Sequence, residues 1–129
     1  MEMNKINTDD GTTEKMMIEA GYHQLSGEDL KQRISGKTIR GDYLYGRNYI
    51  SFADKNGTIE GKNDIGSHHF GEWSVNMEGN TFTVKWDGWD NWTGRAYDVN
   101  GEIKFFDSTT CQWRTTFKEF EDGKLPLKI

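Results

Sequence analysis

The side chains in this sequence best suited to chemistry are His69, Tyr97 and Arg95, set among the rings of Trp73, Trp86 and Trp113. Imidazole titrates near neutrality, so His69 could exchange a proton with a bound molecule, with Tyr97 as its partner and Arg95 steadying an anion. The commoner role of a lone strand histidine is structural, held by a hydrogen bond, and Arg95 could equally pair with Asp98 or Glu72 at a barrel mouth. His68 and His69 are neighbours on an apparent strand and point to opposite faces, and His23 is remote in sequence. They do not converge as a metal site requires, so neither a metal nor a cofactor is expected.

The segment Trp86-Asp87-Gly88-Trp89-Asp90-Asn91-Trp92 carries three of the five Trp residues. Three large rings so close together imply a buried core or a ligand surface. Asp87, Asp90 and Asn91 are oxygen donors, but the EF-hand spacing is absent, and they read as solvated turn residues. Trp89 could stack on a sugar ring or anchor a protein partner. Cys111 is the only cysteine, which excludes an internal disulfide, and it reads as a small buried residue. There is no phosphate loop, dinucleotide fingerprint, nucleophile elbow or paired-carboxylate motif.

The chain carries 21 acids against 16 bases, a net charge of -5, and no Lys/Arg run. A nucleic-acid partner is therefore not expected. No apolar run approaches the roughly 18 residues of a membrane helix, and Met1-Glu2-Met3-Asn4-Lys5 lacks the apolar stretch of a signal peptide. The chain reads as cytoplasmic, with no membrane partner.

These residues need elements to position them. Only 33% of the 129 residues are hydrophobic, yet 13% are aromatic, and rings at alternate positions suit strands. Residues 1–12 read as a mobile terminus and 13–129 as a single domain. A short helix is expected over 13–21, and a second over 27–35, where Ser26 caps, Leu25 and Leu30 form a staple and Gly36 stops the helix. The second helix should cover one end of a sheet or barrel. Strands are expected at 37–42, 44–52, 58–63, 68–76, 80–87, 92–99, 102–107 and 110–120. Asp54-Lys55-Asn56-Gly57 and Asn100-Gly101 are hairpin signals. The predicted fold is mainly β: one antiparallel up-and-down barrel of about eight strands, with one or two short N-terminal helices.

Period-two alternation assigns the faces. Phe82, Val84 and Trp86 should point inward, as should Trp73 and Val75 with His69 and Gly71. Ile59, Gly61, Ile103 and Phe105 join them. The same rule sends Asn48, Ile50 and Phe52 inward, then Thr93, Arg95, Tyr97 and Val99, then Cys111, Trp113, Thr115 and Phe117, leaving Gln112 and Arg114 outside. A single bulge would flip that parity and return Arg95 to solvent. On this reading His69, Trp73, Trp86, Arg95, Tyr97 and Trp113 share a hollow.

Leu25-Ser26-Gly27-Glu28-Asp29-Leu30, Ile34-Ser35-Gly36-Lys37-Thr38, Tyr49-Ile50-Ser51-Phe52, Asp54-Lys55-Asn56-Gly57-Thr58, Gly61, Gly71-Glu72-Trp73-Ser74-Val75 and Val84-Lys85-Trp86 follow one another. Over residues 25–107 this order resembles small bacterial calycin-like (lipocalin-like) domains. The resemblance implies a β-barrel that holds a small apolar or aromatic molecule, and it carries over no catalytic residues. Secreted relatives tend to have a leader and paired cysteines, so with Cys111 as the one cysteine an extracytoplasmic role is not expected.

The first functional expectation is a binding protein holding such a molecule among Trp73, Trp86, Tyr97 and Trp113, oriented by Arg95 or His69. The second is a cofactor-independent isomerase, cyclase or lyase that uses His69 and Tyr97 in the same pocket. The third is a protein-interaction domain presenting Trp89. A homodimer is compatible with all three.

Overall fold

The structure, a computed structural model, describes residues 12–43 and 46–129. The expected mobile terminus lies outside these residues, apart from Thr12. Eight antiparallel strands close in chain order: β1 Lys37–Tyr43, β2 Arg47–Ala53, β3 Thr58–Asn63, β4 His68–Asn76, β5 Thr81–Trp86, β6 Trp92–Val99, β7 Glu102–Asp107 and β8 Trp113–Asp122. The wall closes because β1 pairs with both β2 and β8, which leaves no exposed sheet edge. Two short helices precede the strands, α1 Glu14–Glu19 and α2 Gly27–Ile34. This is the mainly-β, up-and-down barrel that the strand and turn pattern predicts, and it is consistent with a calycin-like fold. No helix among the described residues is long and apolar enough to cross a membrane.

Turn chemistry sets the connections. Asn100 and Gly101 both adopt positive φ, 56° and 94°, as a two-residue turn between right-twisted strands requires. Ser26 caps α2 as expected, its Oγ accepting from the Asp29 amide at 3.1 Å. Leu30 and Ile34 on the inner side of α2 are fully buried, so the helix plugs one end of the barrel. The opposite end is the mouth, ringed by the β3–β4, β5–β6 and β7–β8 connections.

The expected faces hold on β3, β4, β5 and β7. On β2 they are reversed: Tyr49, Ser51 and Ala53 face inward, and Ile50 and Phe52 face out. Ile50 is nevertheless fully buried, and Lys124 of the C-terminal tail reaches over the Phe52 ring. On β6, Trp92, Gly94 and Ala96 face inward, whereas Arg95, Tyr97 and Val99 face out. The reason is steric. Phe82, Phe105 and Phe117 meet at the barrel centre with ring centroids 4.6–5.9 Å apart, leaving β6 room for small residues beside them. A Cβ on Gly94 would lie 2.7 Å from the Phe106 carbonyl oxygen.

The expected face of β8 fails at its start. Cys111 is exposed and precedes the strand. Phe105 pairs with Thr115 but Phe106 pairs with Trp113, so Arg114 is the extra residue of a bulge. Trp113 consequently packs outside the barrel against Met17, Tyr97 and Phe106, while Thr115 and Phe117 remain inside.

Candidate functional site

Above the central Phe cluster the barrel opens into a cavity of about 300 Å³, at the small end of the usual range for ligand pockets. Seven of the fourteen described residues that line it are rings: Tyr43, Tyr49, Phe82, Trp86, Trp89, Trp92 and Phe117. Ser51, Ile59, Val84, Gly88, Asp90, Arg114 and Thr115 complete the wall.

The β5–β6 loop seats two of these rings. Trp86 and Trp89 meet edge to face at 4.7 Å. Both rest on the bare backbone of Gly61, where a Cβ would come within 2.8 Å of the Trp86 ring and 3.0 Å of the Trp89 ring. Trp89 is backed on its other side by His69, edge-on at 4.7 Å. The His69 ring lies so close over Gly88 that a Cβ there would approach to 2.1 Å. His69 Nδ1 is 3.0 Å from Asp87 Oδ1. His69 therefore stands at the rim behind Trp89, held by a carboxylate. His68 points to the opposite side, with Nε2 2.7 Å from Glu60 Oε2.

The indole N–H groups sort the tryptophans. Trp73 donates to the Asp54 carbonyl at 2.9 Å and Trp113 to Thr116 Oγ1 at 2.9 Å. Both rings are buried packing elements. Those of Trp86, Trp89 and Trp92 donate to no described residue and remain available at the mouth.

The cavity's hydroxyls form a directed set. Thr115 donates its single proton to the Asp42 carbonyl at 2.7 Å, so the 2.6 Å contact with Tyr49 must be donated by Tyr49. Tyr49 Oη keeps a lone pair toward the cavity. Burial pushes the Tyr49 phenol well above its usual range, so it stays neutral. Tyr43 Oη accepts from Asn63 Nδ2 at 3.0 Å and retains its own proton. Ser51 is 1% exposed, and its Oγ has no hydrogen-bond partner among the described residues.

Of the six residues expected to share a hollow, Trp86 alone lines this cavity. Trp73 lies deeper, stacked on Phe82, and His69 is at the rim. Arg95, Tyr97 and Trp113 belong to a separate cluster on the outer face, covered by α1. There Arg95 Nε and Nη2 donate to the two Glu14 carboxylate oxygens at 2.6 and 2.8 Å, and Tyr97 Oη donates to Oε2 at 2.7 Å. The Arg95 guanidinium holds the Glu14 carboxyl below the usual carboxylate range, outweighing its burial. Burial, reinforced by the Glu14 bond, pushes the Tyr97 phenol up to about 12. His69 and Tyr97 thus lie on opposite faces of the wall, without a common space for a substrate. Among the described residues no three His, Cys, Asp or Glu side chains converge as a metal site would need.

Sequence reasoning missed Tyr43, Tyr49, Ser51, Trp92 and Arg114. For Tyr49 and Ser51 the alternation was misleading because both faces of β2 are covered. For Arg114 no signal existed, since the bulge depends on how β8 meets β7. The chain matches no protein-family model, no curated protein and no solved structure.

Proposed function

We propose that this barrel binds a small aromatic molecule in the cavity at its mouth. One observation carries the reading: a cavity of about 300 Å³ is walled by rings and by Ser51, whose buried hydroxyl has no hydrogen-bond partner among the described residues. A buried hydroxyl left unmatched costs on the order of 1–3 kcal/mol, and a ligand group that meets it recovers that cost. The three mouth tryptophans offer large rigid surfaces for stacking a planar molecule, at little cost in conformational entropy. Gly61 lets the Trp86 and Trp89 rings rest against the β3 backbone, and Gly88 leaves room for the His69 ring behind Trp89.

Titration with naphthalene, followed by quenching of Trp emission and by thermal unfolding, tests the proposal. A ligand at about 100 times its Kd stabilises by roughly 2.7 kcal/mol, which is on the order of 10 °C in Tm for a domain of this size. Val84→Phe fills part of the cavity and should abolish both signals while the far-ultraviolet circular dichroism remains native. Unchanged emission and Tm in the native chain at saturating naphthalene would sink the proposal.

A further inference from the structure

We infer that the cavity selects aromatic molecules that carry a carboxylate, with Arg114 as the residue that reads the charge. The inference rests on the proposed binding role and deepens it. Arg114 lines the cavity and is half-buried, with 25% of its side chain exposed. Its guanidinium lies 5.5 Å from the Trp92 ring centroid, which fixes the plane of its donors beside an aromatic wall. Its one ionic neighbour is Asp107 Oδ2, at 4.0 Å, the outer limit of an ion pair. The other oxygen of Asp107 is engaged by the Thr109 and Thr110 amides of the β7–β8 turn. The Arg114 guanidinium makes no hydrogen bond to any described residue. Five N–H donors in a fixed fork, partly withdrawn from water and lacking an acceptor, form a ready site for a carboxylate.

The other groups agree with this choice. Ser51 Oγ and Tyr43 Oη each have a proton to give to an acceptor oxygen. Asp90, the one acid that lines the cavity, is exposed on the β5–β6 loop, where water screens it. Asp87 is engaged by His69 behind Trp89. Among the described residues no lysine lines the space, and Arg114 is the single full positive charge in the cavity wall. The rings take the body of the ligand, and the guanidinium takes its anionic end.

The test compares 2-naphthoate, 2-naphthamide and naphthalene by isothermal calorimetry and Trp quenching at pH 7. The carboxylate should bind at least tenfold more tightly than the isosteric amide. Arg114→Gln should remove that advantage, so that the variant binds carboxylate and amide about equally. A second readout needs no variant: raising NaCl from 0.05 to 0.5 M should weaken naphthoate several-fold and leave naphthalene unchanged or tighter. Equal binding of carboxylate and amide, or an unchanged ratio in Arg114→Gln, overturns the selectivity and leaves the binding role standing. Failure of all three compounds to bind overturns both.

Discussion

Residues of one type perform different work on the two sides of this wall. Trp73 and Trp113 are packing residues whose N–H groups are satisfied inside the chain, whereas Trp86, Trp89 and Trp92 line the cavity and their N–H groups donate to no described residue. The arginines divide in the same way. Arg95 is spent on Glu14, and Arg114 is not spent. The Glu14–Arg95–Tyr97 cluster is therefore a stability element with a defined pH dependence. The folded-state pKa of Glu14 is lowered, so its contribution is complete above the ordinary value of 4.5 and is lost as pH falls through the lower folded value. Glu14→Gln leaves Arg95 without its counter-charge. Full burial of such a pair would make the loss roughly 3–5 kcal/mol, but Arg95 is 27% exposed, which reduces the expected cost to about 2 kcal/mol at pH 7. The difference between native and variant chains should shrink steadily below pH 4.5. Urea unfolding at pH 7, 4 and 3 checks both points, and a difference that does not depend on pH would refute the assignment.

At the scale of elements, close approach overrides intrinsic preference. Gly27 begins α2, and an alanine there would favour the helix by about 0.5–1 kcal/mol on propensity alone. Its Cβ would however meet the Met77 Cα at 2.9 Å and the Asn76 carbonyl oxygen at 3.0 Å, both of them backbone. Forcing such atoms apart costs roughly 1–3 kcal/mol. Gly27→Ala should therefore lower Tm by about 3–4 °C, because the net loss is about 1 kcal/mol. Binding at the mouth, at the far end of the barrel, should not change. Differential scanning calorimetry decides the matter, and an equal or higher Tm would show that the β4–β5 hairpin yields. The bulge in β8 acts at the same scale. One extra residue turns Trp113 outward and brings Arg114 to the cavity, so a local change of register supplies the only cation among the described residues of its wall.

For the whole molecule, the closed barrel and its outer cover are separable. Each strand pairs with two others without help from α1. Removing residues 1–21 deletes Glu14 and the buried Met17, and none of the described residues it removes lines the cavity. The expected loss is on the order of 3–5 kcal/mol from apolar burial and the broken ion pair. That is within the roughly 5–15 kcal/mol a domain has available, so the barrel should persist with a lower urea midpoint and unchanged naphthoate affinity. Far-ultraviolet circular dichroism and titration of the truncated chain test this, and loss of the β signal would refute it. The strands, their order, the hairpins and α2 were all legible in the sequence because each has a local cause. Alternation marked Phe82, Val84 and Trp86, Asn100-Gly101 made a turn, and Ser26 made a cap. The face of a strand is local only when one side is wet. On β6 and β2 both sides are buried, by α1 over Tyr97 and by the environment that takes Ile50 to zero exposure. Alternation then gives no clear sign of the inner side, and beside the crowded rings of Phe82, Phe105 and Phe117 it is Gly94 and Ala96 of β6 that face inward. Composition and local pattern determined a barrel rich in rings. Only the tertiary structure decided which rings enclose the cavity, because a cavity is what remains after every side chain has claimed its volume.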